Sequence, residues 1–139
     1  MNILVVGGGG REHAIAHSLS KSPLTKKIVV APGNPGIEKF ASCYPIAAED
    51  IDGQCKLAKD IKADIVFIGP EIPLVAGLKD KLSEMGINAF GPSKKAAQLE
   101  GSKTFSRNFC KRYKRRHCFY RTRDSSCSRL KKQVIRDWY

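Results

Sequence analysis

Four consecutive glycines, Gly7–Gly10, follow directly on the apolar run Ile3-Leu4-Val5-Val6. The run does not alternate with polar residues, which is the pattern of a strand buried on both faces. From Arg11 the spacing changes to helical, with His13, Ala14, Ile15, Ala16 and Leu19 ahead of the stop at Ser22-Pro23. A strand, a glycine turn and a helix in that order confine the chain to an α/β architecture. They also place backbone N–H groups at the positive end of a helix, a geometry that binds phosphate.

The same alternation continues. Lys27-Ile28-Val29-Val30-Ala31 predicts a second strand, ended by the shaped loop Pro32-Gly33-Asn34-Pro35-Gly36. Cys55, Leu57, Ala58 and Ile61 share a helical face between Asp52 and Lys62. Asp64 to Ile68 predicts a third strand, stopped by Gly69-Pro70. Leu74, Leu78, Leu82 and Met85 predict one helix from Leu74 to Met85, with Gly86 at its C-terminal cap. Ile87 to Phe90 predicts a fourth strand before Gly91-Pro92, and Ser93 caps a helix through Ala96, Ala97 and Leu99. Strands and helices joined by short loops predict a parallel sheet covered by helices. Ligands bind past the carboxyl ends of such strands. Each of those ends carries glycine here, which describes a crevice along one edge.

Several chemistries are disfavoured. A dinucleotide fingerprint needs G-x-G-x-x-G, but Gly7-x-Gly9 leads to Glu12 and Gly8-x-Gly10 leads to His13. The ribose-binding acid expected after the second strand is replaced by Val29-Val30-Ala31-Pro32. No Gly-Lys-Ser/Thr closes a P-loop. His13 and His17 are four apart but lack further ligands at zinc spacing, so they read as packing or surface residues. What remains is a phosphate loop, with Arg11 able to add a bidentate contact. Asn34 and Glu71, each just past a strand, are placed to meet a sugar or phosphate. Glu71 by itself is equally readable as the acidic start of a helix.

The segments Asn2-Ile3-Leu4-Val5-Val6-Gly7-Gly8-Gly9-Gly10-Arg11-Glu12-His13-Ala14, Ala31-Pro32-Gly33-Asn34-Pro35-Gly36, Gly69 to Gly77 and Phe90-Gly91-Pro92-Ser93 resemble phosphoribosylamine–glycine ligases. Ala96 to Lys103 is similar to that family's passage into its ATP-grasp region. The resemblance covers about residues 1–109. It implies a Rossmann-like open parallel sheet, the pre-ATP-grasp domain, over 1–100, and the start of the ATP-grasp region over 101–113. It further implies de novo purine biosynthesis: glycine is phosphorylated at its carboxylate with ATP and magnesium, and the amine of phosphoribosylamine then displaces phosphate. By resemblance, Gly8, Gly9, Gly10, Arg11 and Glu12 hold the sugar phosphate, Asn34 and Glu71 lie near the sugar, and Lys103 touches ATP. Magnesium ligands and most ATP contacts fall in family segments beyond this sequence. The chain is therefore expected to bind phosphoribosylamine or a related ribose 5-phosphate compound, to hold no metal or ATP alone, and to carry no catalytic residue.

Charge divides the chain. Residues 1–105 hold 13 Lys+Arg against 11 Asp+Glu, whereas residues 106–139 hold 12 against 2. The basic segment 114–139 matches no family motif and reads as an irregular tail, such as a frame shift or gene decay would produce. The competing reading is a nucleic-acid arm, with Tyr113, Phe119, Tyr120 and Trp138 among the basic residues. Five cysteines without a Cys-x-x-Cys pair argue against a disulfide framework. No stretch approaches the roughly 20 apolar residues of a membrane helix. The start also lacks a signal peptide's basic region, so a cytoplasmic location is expected.

Overall fold

A computed structural model describes residues 1–102 and Thr104. The expectations for Lys103, for the start of the ATP-grasp region beyond that point and for the basic tail lie outside the described residues. Five strands form one parallel sheet: β1 (Asn2–Gly7), β2 (Lys27–Pro32), β3 (Ser42–Cys43), β4 (Ile65–Ile68) and β5 (Asn88–Phe90). Their order is β3-β2-β1-β4-β5, and every pairing is parallel. The helices are α1 (Gly10–Ser20), α2 (Ile51–Asp60), α3 (Glu71–Ala76), α4 (Leu78–Glu84) and α5 (Lys94–Gly101). This is the expected Rossmann-like α/β architecture. None of the helices among the described residues is long and apolar enough to cross a membrane.

The non-alternating run in β1 is explained by its position. As the central strand it is buried on both sides. Leu4 and Val6 pack with Val29, Ala31, Val66, Ile68 and the helical residues Leu74, Leu78 and Leu82. Ile3 and Val5 face the other way, toward Ala16 of α1, Ile28, Val30 and Ile37. Ile3, Leu4, Val5 and Val6 are each at most 3% exposed. Each such side chain contributes roughly 1.5–3 kcal/mol through burial, so this strand anchors the domain.

Two expectations need correction. The periodicity of Leu74, Leu78, Leu82 and Met85 predicts a single helix, but the chain forms two. Gly77 adopts φ 101°, ending α3 and starting α4. Its N–H donates to the carbonyls of Pro73 and Leu74, while its own carbonyl accepts from Lys81 N–H. The apolar spacing survives the break, because Leu74, Leu78 and Leu82 are all buried. α3 also begins earlier than expected, at Glu71, since Pro73 falls in the first turn where a missing N–H costs little. The second correction is β3. Its two residues, Ser42 and Cys43, carry no apolar run to signal a strand, and they pair with Val29 and Val30 at the sheet edge.

Candidate functional site at the carboxyl edge

The register brings the expected strand ends to one edge. Gly7 aligns with Pro32 and Val6 with Ile68, so the glycine turn, the Pro32–Gly36 loop and Gly69-Pro70-Glu71 emerge side by side. Backbone bonds tie them together. Gly33 N–H donates to the Gly7 carbonyl at 3.2 Å, and Gly69 N–H donates to the Val6 carbonyl at 3.2 Å. Gly8 passes so close to Gly33 that an added Cβ would overlap the Gly33 carbonyl oxygen. That approach explains why side chains are missing here.

α1 starts in this corner with Gly9 as its N-cap. Glu12 is turned inward and is 4% exposed. Its Oε2 accepts from Gly9 N–H at 2.7 Å, which satisfies one of the helix's open donors. The same carboxylate lies against Gly7 and Gly69, where an added Cβ would meet it. Among the described residues, Glu12 Oε1 is buried without a hydrogen-bond partner. Gly10 and Arg11 stand exposed at the first two helical positions. Their N–H groups have no intrahelical acceptor by geometry, so they face outward with the positive end of the helix. An added Cβ on Gly10 would meet nothing within 4 Å, so the space above the helix start is open.

Asn34 joins the two loops. Its Nδ2 donates to the Gly8 carbonyl at 2.9 Å. Its Oδ1 accepts from Gly36 N–H at 2.9 Å and Ile37 N–H at 3.1 Å. An amide nitrogen carries two protons, so one donor remains for a ligand. Glu71 is exposed as the first residue of α3. The structure therefore gathers Gly8, Gly9, Gly10, Arg11, Glu12, Asn34 and Glu71 along one edge, with Glu12 and Asn34 partly engaged in holding it.

Two further residues support the corner: His13, read from the sequence as a packing or surface residue, and Gln54, given no role there. His13 packs against the Phe40 ring, with centroids 5.5 Å apart, and against Gly36 in the second loop. Gln54 is fully buried, and its Nε2 donates to the Ala47 carbonyl at 3.0 Å and the Ala31 carbonyl at 3.5 Å. A polar residue in register with Ile51, Cys55, Ala58 and Ile61 on a core-facing helix is the signal that marks Gln54. Beside it, burial pushes the Cys55 thiol up from its ordinary value. Among the described residues, no three His, Cys, Asp or Glu side chains come together as a metal site. They offer no basis for placing magnesium.

Residues 1–100 match the family model described as phosphoribosylglycinamide synthetase, N domain. A phosphoribosylamine–glycine ligase of Caulobacter vibrioides is 52% identical over 113 residues, which are 81% of this chain and 26% of that protein. A phosphoribosylamine–glycine ligase of Phenylobacterium zucineum is 47% identical over 126 residues, 91% of this chain and 30% of that protein. The crystal structure of a Thermotoga maritima phosphoribosylamine–glycine ligase superposes with a TM-score of 0.61 at 27% identity, over 98% of this chain and 30% of that one. The chain belongs to the phosphoribosylglycinamide synthetase N-domain family. It spans about a quarter to a third of the length of these relatives.

Proposed function

We propose that residues 1–100 form the phosphoribosylamine-binding domain of a phosphoribosylamine–glycine ligase in de novo purine biosynthesis. The observation that carries the reading is the convergence of the α1 N-terminus, Asn34 and Glu71 on one sheet edge. The 5-phosphate of the sugar sits above Gly9 and Gly10, where outward N–H groups and the helix field favour an anion by roughly 0.3–1 kcal/mol at exposed positions. Arg11 closes on the phosphate with its planar guanidinium. The remaining Asn34 donor and the Glu71 carboxylate address the sugar hydroxyls. Gly8 permits the two loops to meet, and Glu12 positions the phosphate donors by fixing Gly9. These residues bind and orient the amine-bearing sugar; none of them performs the ligation.

In the family's reaction ATP activates glycine, with magnesium at the reacting phosphate. The described residues do not supply that site, and Lys103 is the ATP contact proposed from this sequence, at the start of the ATP-grasp region over 101–113. On this reading residues 1–100 are the sugar-binding module of the ligase, working in the cytoplasm with other enzymes of this chemistry. Titration calorimetry tests the reading. Ribose 5-phosphate should bind the 139-residue chain, NAD should not, and Arg11→Ala should weaken ribose 5-phosphate by tenfold or more. NAD binding tighter than ribose 5-phosphate would reverse the assignment. ADP release that depends on glycine and phosphoribosylamine would show that the chain does more than bind.

A further inference from the structure

Glu12 holds the last place of an incomplete fingerprint, Gly7-x-Gly9-x-x-Glu12. In a dinucleotide loop the three glycines have separate tasks. The first makes the tight turn, the second lets the pyrophosphate approach the backbone, and the third lets the helix pack closely on the strand. Gly7 makes the turn here, with φ 122°. The other two tasks are altered by the Glu12 side chain alone. It is 4% exposed, and its Cγ and Cδ lie where an added Cβ on Gly7 or Gly69 would strike them. Its Oε2 fills the room that the missing Cβ makes at Gly9, and it accepts the Gly9 N–H at 2.7 Å. Its Oε1 is buried there without a hydrogen-bond partner. The room that the fingerprint gives to a pyrophosphate at its second glycine is thus taken by the protein's own acid. At Gly10, one residue on, the same room is open.

We propose that Glu12 determines specificity at the corner: it stands in for one phosphoryl group of a pyrophosphate, so that a single external phosphate is admitted. The inference rests on the reading that a sugar phosphate binds at the start of α1. Two physical effects carry it. Glu12 uses up the Gly9 N–H, which leaves the Gly10 and Arg11 N–H groups and the Arg11 guanidinium, donors enough for one phosphoryl group and few for two. A carboxylate withdrawn from water also repels a second phosphoryl group more strongly than it would in bulk solvent. The missing ribose-binding acid after β2 has no such effect, because that acid addresses a sugar hydroxyl and leaves the pyrophosphate untouched. Position 12 therefore refuses dinucleotides and nucleoside diphosphates at the phosphate itself, whatever sugar or base they carry.

Titration calorimetry with ribose 5-phosphate and ADP-ribose tests this on the 139-residue chain, Glu12→Gln and Glu12→Ala. ADP-ribose extends the same sugar phosphate by a second phosphoryl group, and its adenosine is common to all three measurements. The unaltered chain should favour ribose 5-phosphate by about tenfold or more. Glu12→Gln keeps the length of the side chain and an acceptor for the Gly9 N–H but drops the charge. It should tighten ADP-ribose by about threefold to tenfold, with a smaller change for ribose 5-phosphate. Glu12→Ala also frees the Gly9 N–H and should narrow the preference further; should it fail to fold, Glu12→Gln decides the matter. An ADP-ribose affinity unchanged in folded Glu12→Gln would overturn the proposal. So would equal tightening of both ligands, because the charge would then act on any anion alike. Failure of the unaltered chain to bind ribose 5-phosphate would instead sink the functional reading beneath it, a result distinct from either.

Discussion

The glycine corner and the β5 margin lie in one sheet but are built on opposite terms. At the corner three loops touch through their backbones, and Glu12 and Asn34 fill what remains. At the margin Gly86 has no atom within 4 Å of an added Cβ, and Phe90 is 67% exposed. Glycine therefore means different things in the two places. In the corner it removes a side chain that would collide. At Gly86 it supplies a backbone angle. A binding edge needs donors held in fixed positions, which close backbone contact provides.

The largest expected effect belongs to Gly8→Ala. Its methyl group meets the Gly33 carbonyl oxygen, which is backbone and cannot swing aside. Urea denaturation should show a loss of about 2 kcal/mol or more, in the range of overpacked interiors, with ribose 5-phosphate binding lost as well. A cost no greater than that of Gly86→Ala would mean the corner is looser than its contacts imply. Next comes Asn34→Ala, which deletes one donated and two accepted bonds. About 1–2 kcal/mol is expected, because these groups are only part-buried and water can replace some of the bonds. Hydrogen exchange at Gly36 and Ile37 should quicken together; unchanged exchange would remove Asn34 as the bridge.

Gly86→Ala should cost about 1 kcal/mol, from its φ of +74° and not from contact. A larger loss in denaturant would show that the margin is packed after all. The smallest stability effect belongs to Gly10→Ala. Alanine suits a helical position better than glycine and meets nothing there, so stability should hold or rise by up to about 1 kcal/mol. Affinity for ribose 5-phosphate should nevertheless fall about tenfold, since the methyl group occupies the space above the helix start. Undiminished affinity would move the phosphate off α1.

Much of this arrangement was legible in the chain itself. The apolar runs at Ile3–Val6 and Ile65–Ile68 declare strands of a parallel sheet, the first buried on both faces and the second fully buried only through Val66 and Ile68. Ser93 declares a helix start, and its Oγ accepts from Ala96 N–H at 3.4 Å. The family motifs reach the same fold by resemblance. The short β3 and the division at Gly77 were not legible. Two residues give no periodicity, and an apolar spacing of three and four continues unchanged across a left-handed glycine.

The sequence by itself determined four of the five strands of the described residues, the parallel alternation, the family and the set of residues gathered near the strand ends, since these follow from local spacing and motif. Only the tertiary structure decided which way those residues turn. Glu12 faces inward because Gly69, 57 positions away, leaves room for its carboxylate, and Asn34 reaches the Gly8 carbonyl 26 positions back. The exposure of Phe90 was likewise decided only in three dimensions. Its neighbours make it a strand residue, but whether a helix crosses above it depends on where α1 lies over the sheet, and α1 lies over β1 and β2. Contacts between residues far apart in the chain leave no periodic trace in it, which is why orientation and cover had to be seen in the fold.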